Sequence, residues 1–198
     1  PVRALILAPT RELAMQVHES LVTYSKYLPL RSVCIYGGVD IRPQIAELRE
    51  GREIVVATPG RLLDHVQQKS VSFASVEVLV LDEADRMLDM GFIPDIKRIL
   101  GMLPSNRQSL LFSATFSNEI KKLADSMLKA PQLIEVARRN AVNETITHRV
   151  YPVASDLKRS LLVHLLTHQN ELQQVLVFVG TKFGASRLAV YLEKQGIA

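Results

Sequence analysis

Val78-Leu79-Val80-Leu81-Asp82-Glu83-Ala84-Asp85 is an apolar run that ends in acid. Four apolar residues pass without a polar break, and three carboxylates fill the next four positions. So short and unbroken a run suits a strand buried on both faces of a parallel sheet. Helices packed on each face leave no wet side for a polar residue to mark. Runs of the same kind occupy 4–8, 32–36, 54–57, 76–81, 109–112 and 133–136. Between them lie longer segments with helical period, at 11–27, 42–50, 61–68, 93–103 and 118–129. Strand and helix in alternation predict an α/β domain, a doubly wound parallel sheet with helices on both faces.

The rhythm breaks at 138–148, where Arg, Asn, Glu and Thr carry no apolar period, and this stretch is expected to be a linker. The pattern then restarts, with strands expected at 149–153 and 175–179 and helices at 157–167 and 183–194. Residues 1–137 therefore read as one domain and 149–198 as the opening of a second. Composition agrees, at 47% apolar and 22% charged over 198 residues. No apolar run approaches the ~20 residues that a membrane span needs. No basic stretch leads into an apolar one at the start, so no signal peptide is visible. The lone Cys34 excludes an internal disulfide and a cysteine-cluster zinc site, and it suits a reducing, cytoplasmic compartment. Net charge is +4, but the excess falls wholly in 138–198. The balanced first part is no basic footprint, so any nucleic-acid reading must rest on placed residues. His164 and His168 have the spacing of a zinc pair but lack a following Glu and a third ligand, and read as ordinary helix residues.

Ligands of open parallel sheets gather beyond the carboxyl ends of the strands. Those ends lead into Pro9-Thr10-Arg11-Glu12, Gly37-Gly38, Thr58-Pro59-Gly60-Arg61, Asp82-Glu83-Ala84-Asp85 and Ser113-Ala114-Thr115. Thr10 and Thr58 can open the helices that follow, whose free N–H groups favour phosphate. Arg11 and Arg61 can add charge-assisted hydrogen bonds. Taken singly, each turn is also what ordinary turns and caps use. An apolar strand ending in Asp-Glu can place one carboxylate near Mg2+ and another near an attacking water, as nucleotide hydrolases do. It can equally be an acidic helix start that complements the dipole.

Together, in order, the five turns with Pro-Thr-Arg-Glu-Leu-Ala at 9–14 resemble motifs Ia, GG, Ib, II and III of the DEAD-box RNA helicases of superfamily 2. The segment 175–182 resembles motif IV. Met90-Gly91-Phe92 resembles the bacterial RhlE-type branch. The resemblance implies a RecA-like first domain and the start of a second. It implies an ATP-dependent RNA helicase that couples ATP hydrolysis to local duplex unwinding or RNP remodelling. By that resemblance Asp82 would bind Mg2+, largely through water, and Glu83 would activate the water that attacks ATP. Asp85 would hydrogen-bond the hydroxyls of Ser113 and Thr115. Pro9, Thr10, Arg11, Gly38, Thr58, Gly60 and Arg61 would hold the sugar-phosphate backbone of RNA, single-stranded or duplex, with Thr181 doing so from the second domain. Backbone contacts carry no sequence information directly. Protein partners would bind through tails outside this chain.

A Gly-x-x-x-x-Gly-Lys-Ser/Thr phosphate loop is absent from the sequence, as are the second-domain motifs that would bring an arginine finger. These groups supply most of the charge stabilisation in phosphoryl transfer. The 198 residues alone are therefore expected to show no RNA-stimulated ATPase. Two other readings stay open: a non-catalytic RNA-binding RecA-like module, and a DNA-directed superfamily 2 helicase.

Overall fold

The structure, a computed structural model, describes residues 1–136, 146–168 and 172–197. The chain divides into two compact units, Pro1–Arg139 and Asn140–Ala198. Most of the linker expected at 138–148 lies outside the described residues.

The first unit is built on a parallel five-stranded sheet. Its strands are β1 (Ala4–Leu7), β2 (Ser32–Ile35), β3 (Ile54–Ala57), β4 (Val78–Leu81) and β5 (Gln108–Leu111), in the order β2-β3-β1-β4-β5. From central β1 the chain passes to the edge strand β2, returns to β3 beside β1, and then crosses to β4 and β5 on the other side, a doubly wound arrangement of the kind the alternation predicts. Register is continuous across the sheet, with Leu5 opposite Val55 and Leu79, and Leu7 opposite Ala57 and Leu81.

Alternation sends these side chains to two cores. Leu5, Leu7, Val33, Ile35, Val55, Ala57, Leu79 and Leu81 face one side, none more than 1% exposed. There they meet α3 (Pro59–Gln67), α4 (Ala84–Asp89), α5 (Ile93–Leu100) and α6 (Asn118–Met127) through Leu62, Met87, Ile96, Ile99, Ile120 and Leu123. Burying each such aliphatic side chain stabilises by about 1.5–3 kcal/mol. The opposite face packs Ile6, Ala8 and Val56 against Ala14, Leu13, Val17 and Leu21 of α1 (Arg11–Tyr24). Cys34 points to this face, where burial pushes its thiol up to about 11, so it behaves as a small apolar residue.

Several expectations are corrected. Residues 133–136 form no strand and are exposed, with Val136 at 97%, because among the described residues the sheet ends at β5. The strand expected at 76–81 starts at Val78, since Val76 closes a turn onto the Phe73 carbonyl. The first helix stops at Tyr24, where the Ser25 N–H and hydroxyl both bond the Leu21 carbonyl. α2 (Arg42–Arg49) and α3 fall within a residue or two of expectation, whereas α4 was not foreseen.

In the second unit α7 (Lys158–His168) and α8 (Lys182–Lys194) form where helices were expected. The strands expected at 149–153 and 175–179 do not form. These runs have no regular secondary structure and no ladder among the described residues, and Val150, Leu176 and Phe178 are 78–91% exposed. Among the described residues no helix is long and apolar enough to cross a membrane.

Candidate functional site

The carboxyl ends of the five strands put the predicted turns along one edge of the sheet, because parallel strands all end on the same side. After β4 the backbone turns sharply. Asp82 N–H still pairs with the Leu7 carbonyl, at 3.0 Å, while Glu83 sits at φ 48° and ψ 54°, in the left-handed region. A non-glycine residue there is uncommon and strained. The turn is held on both sides: Glu83 N–H donates to Asp82 Oδ1 at 2.9 Å, and Ala84 N–H donates to the Phe112 carbonyl at 3.0 Å. The strain leaves the Glu83 side chain exposed at the sheet edge.

Asp85 joins this turn to the one after β5. Its Oδ2 accepts from the Thr115 N–H at 2.8 Å and from the Thr115 hydroxyl at 3.0 Å, and its Oδ1 accepts from Arg86 N–H at 3.0 Å. Burial raises the cost of charging Asp85, but the bonds from Thr115 and Arg86 outweigh it and hold the carboxyl below its ordinary range. Ser113 is brought alongside, but its hydroxyl donates to the Thr115 carbonyl, at 2.7 Å, and so braces the loop.

The other turns meet further along the edge. Thr10 caps α1, its Oγ1 accepting Leu13 N–H at 3.2 Å. Arg11 lies over the Tyr36 ring at 5.6 Å, which ties the turn after β1 to that after β2. Gly38 has φ +83°, a conformation that L side chains rarely adopt. Asp40 then grips Arg42, with Nη2 2.6 Å from Oδ2, and that bond holds its carboxyl down at about 2. Thr58 stands at the head of α3 without capping it through its side chain. Gly60 lies in the first turn of α3, and a Cβ there would meet nothing within 4 Å. Packing therefore does not require a glycine at 60, and the bare backbone faces open space.

Arg61 is less open than its sequence context suggests. Its side chain is only 11% exposed. Nη2 donates to the Val39 carbonyl at 2.9 Å, and Asp64 stands 3.4 Å from Nε without hydrogen-bond alignment. Nε and Nη1 are buried without a hydrogen-bond partner.

Thr181 belongs to the second unit, where it caps α8 by accepting Gly184 N–H at 3.0 Å. Among the described residues no group of three His, Cys, Asp or Glu could hold a metal ion. His164 and His168 stack at 4.3 Å as neighbours on one helix.

Sequence reasoning missed Gln44 and His65, which are buried between α2 and α3. A signal existed for His65, which is three residues from Leu62 and thus on the core face of α3.

The DEAD/DEAH box helicase family model matches residues 1–123. The chain is 44% identical over 198 residues to the ATP-dependent RNA helicase RhlB of Pseudomonas putida, covering 98% of this chain and 50% of that protein. It is 40% identical to the DEAD-box ATP-dependent RNA helicase RhpA of Helicobacter pylori, covering 98% and 39%. A crystal structure of a DEAD box protein from Methanococcus jannaschii matches with a TM-score of 0.65 at 37% identity, covering 98% of this chain and 52% of that one. The chain thus spans about half the length, or less, of the curated relatives it matches.

Proposed function

The chain belongs to the DEAD/DEAH box helicase family, and on that premise we propose that it forms part of a bacterial, cytoplasmic, ATP-dependent RNA helicase that grips RNA by its sugar-phosphate backbone. The RhlE-type branch is the finer reading that Met90-Gly91-Phe92 suggests. The observation that carries the proposal is the Asp85–Thr115 link between the β4 and β5 turns. It connects the carboxylates at 82–83 to a second loop, as coupling hydrolysis to a mechanical change requires.

In this reading Glu83 orients and activates the water that attacks the ATP γ-phosphate. Its left-handed backbone is fixed by neighbours on both sides, so little reorganisation is needed when the water arrives. Asp82 is the residue for Mg2+. It offers hard carboxylate oxygen, and Mg2+ is usually held through one or two carboxylates together with waters and phosphate oxygens. When bound, Mg2+ would neutralise charge on the phosphates. Asp85, Ser113 and Thr115 carry the coupling. Thr10, Arg11, Gly38, Thr58 and Gly60 form the RNA surface of the first unit, with buried Pro9 and largely buried Arg61 shaping its turns, and Thr181 serves on the second. The bare Gly60 and the uncapped head of α3 support a close approach by a phosphate. Such contacts are blind to base identity, which suits an enzyme acting on many RNAs.

The test uses the full-length protein that contains this chain. Wild type should hydrolyse ATP faster with RNA. Glu83→Gln should keep ATP and RNA binding but lose about 100-fold or more in turnover, the range for removing a general base. Ordinary turnover in that variant removes Glu83 from its role, and stimulation by DNA but not RNA favours a DNA-directed enzyme. The 198-residue chain alone should be silent, since its sequence holds no phosphate loop.

A further inference from the structure

A buried chain of side chains lies beneath the Gly37-Gly38 turn, made of residues to which the reading above gives no part. Gln44 on α2 is 6% exposed and His65 on α3 is fully buried. Gln44 Nε2 donates to the Tyr36 carbonyl at 3.1 Å. Gln44 Oε1 lies 3.1 Å from His65 Nε2, and His65 Nδ1 lies 2.8 Å from Ser70 Oγ.

The direction of the chain follows from its one unambiguous end. The Tyr36 carbonyl can only accept, so Gln44 turns its amide nitrogen there and its oxygen to His65. His65 then carries its proton on Nε2 and leaves Nδ1 bare, and the single Ser70 hydroxyl proton is shared between Nδ1 and the His65 carbonyl, 3.1 Å from Ser70 Oγ. Burial, and then the charge of Arg61, hold the imidazole below its usual pKa against the opposing pull of Asp64, which keeps it neutral. Each member thus has a matched partner, and the line of bonds runs from α3 through α2 to the residue before Gly37.

A second arm reaches the other side of the turn. Arg61 Nη2 donates to the Val39 carbonyl at 2.9 Å. The carbonyls flanking Gly37-Gly38 are therefore held by one side chain from α2 and one from α3. A glycine pair is otherwise the freest backbone in the chain. An apolar pair would fill the space between α2 and α3 equally well, but would not reach a carbonyl of the turn.

We propose that Gln44 and His65 are positioning residues that lock the Gly37-Gly38 turn to the last turn of α3, as Arg61 ties it to the first, so that the two turns present one pre-set surface to the RNA backbone. This rests on the RNA reading given above. Pre-setting lowers the ordering cost of binding, so its loss should weaken binding rather than chemistry.

The test is RNA-stimulated ATPase in the full-length protein, titrated with an oligouridylate. Gln44→Met fills the space and removes both bonds. Gln44→Glu keeps an oxygen for His65 but has no N–H for Tyr36. Both should raise the RNA concentration for half-maximal stimulation about tenfold, the worth of one buried hydrogen bond. Turnover at saturating RNA should stay within about twofold of wild type, a split that a merely structural role would not produce. Wild-type half-saturation in either folded variant overturns the proposal. So does a parallel fall in turnover, and so does failure of both variants to fold, since the pair then serves the core. If RNA does not stimulate even the wild type, the RNA reading fails first and this inference falls with it. If it does and the variants saturate normally, the inference alone falls.

Discussion

Val78–Leu81 and the run at 175–179 are both short, apolar and β-branched, and both lead through a polar turn into a helix. In the first unit Leu79 and Leu81 are fully buried and hydrogen-bonded on both sides, to β1 and β5. In the second, Leu176 and Phe178 are 78% and 87% exposed and pair with nothing among the described residues. The difference shows where a strand comes from. Apolar composition makes a run fit for burial, but only an adjacent ladder supplies partners for its N–H and C=O groups. Every buried residue of the described chain lies between Val2 and Met127.

The contrast breaks most easily at the cores. Leu79→Ala should destabilise the first unit by about 2–5 kcal/mol, because a rigid sheet and four helices cannot close the cavity. Leu188→Ala, at a half-buried position of the mostly exposed α8, should cost under about 0.5 kcal/mol. Urea unfolding of the two variants, followed by residue-resolved NMR, compares them, and equal losses would erase the contrast.

A smaller effect tests two matching caps. Thr10 and Thr181 each accept the N–H three residues on, at 3.2 and 3.0 Å. Thr10→Ala should lower the unfolding free energy of the first unit by about 1 kcal/mol. Thr181→Ala should reduce α8 helicity while leaving that transition where it was. Circular dichroism melts of both variants would show it, and a shared loss would mean that the units unfold as one.

The smallest effect concerns acid. Asp85 has a folded pKa below its ordinary 3.8, so its bonds to Thr115 contribute fully above that value. The contribution fades only as pH falls through the lower folded value. The Thr115 amide resonance should therefore titrate with a midpoint below 3.8. A midpoint at or above 3.8 would show the link to be looser than the core around it.

The sequence disclosed the first sheet almost whole, since β1 and β3 are buried on both faces, β2 and β4 are at least half-buried throughout, and each run is short and near-continuously apolar. The same signal over-read 133–136, 149–153 and 175–179, because composition does not say whether a neighbour exists. α4 escaped because its six residues are too short to show a period. At the site, Asp82, Glu83, Asp85 and Thr115 were legible from their order along the sheet edge. Arg61 was legible as a cation but not as one turned inward to Val39, and Gln44 and His65 were hidden as polar residues on apolar faces.

Gly60 carries one more consequence. In a helix, glycine is worse than alanine by up to about 1 kcal/mol, and a methyl group at this position would touch nothing in the chain. A designer who kept this backbone and optimised stability alone would write Ala at 60, and a screen for thermostable variants would find the same change. Either route would harden the molecule while placing a methyl group where, in the function proposed above, a phosphate comes close. Glycine at 60 therefore marks a position where selection for solidity and selection for use pull in opposite directions.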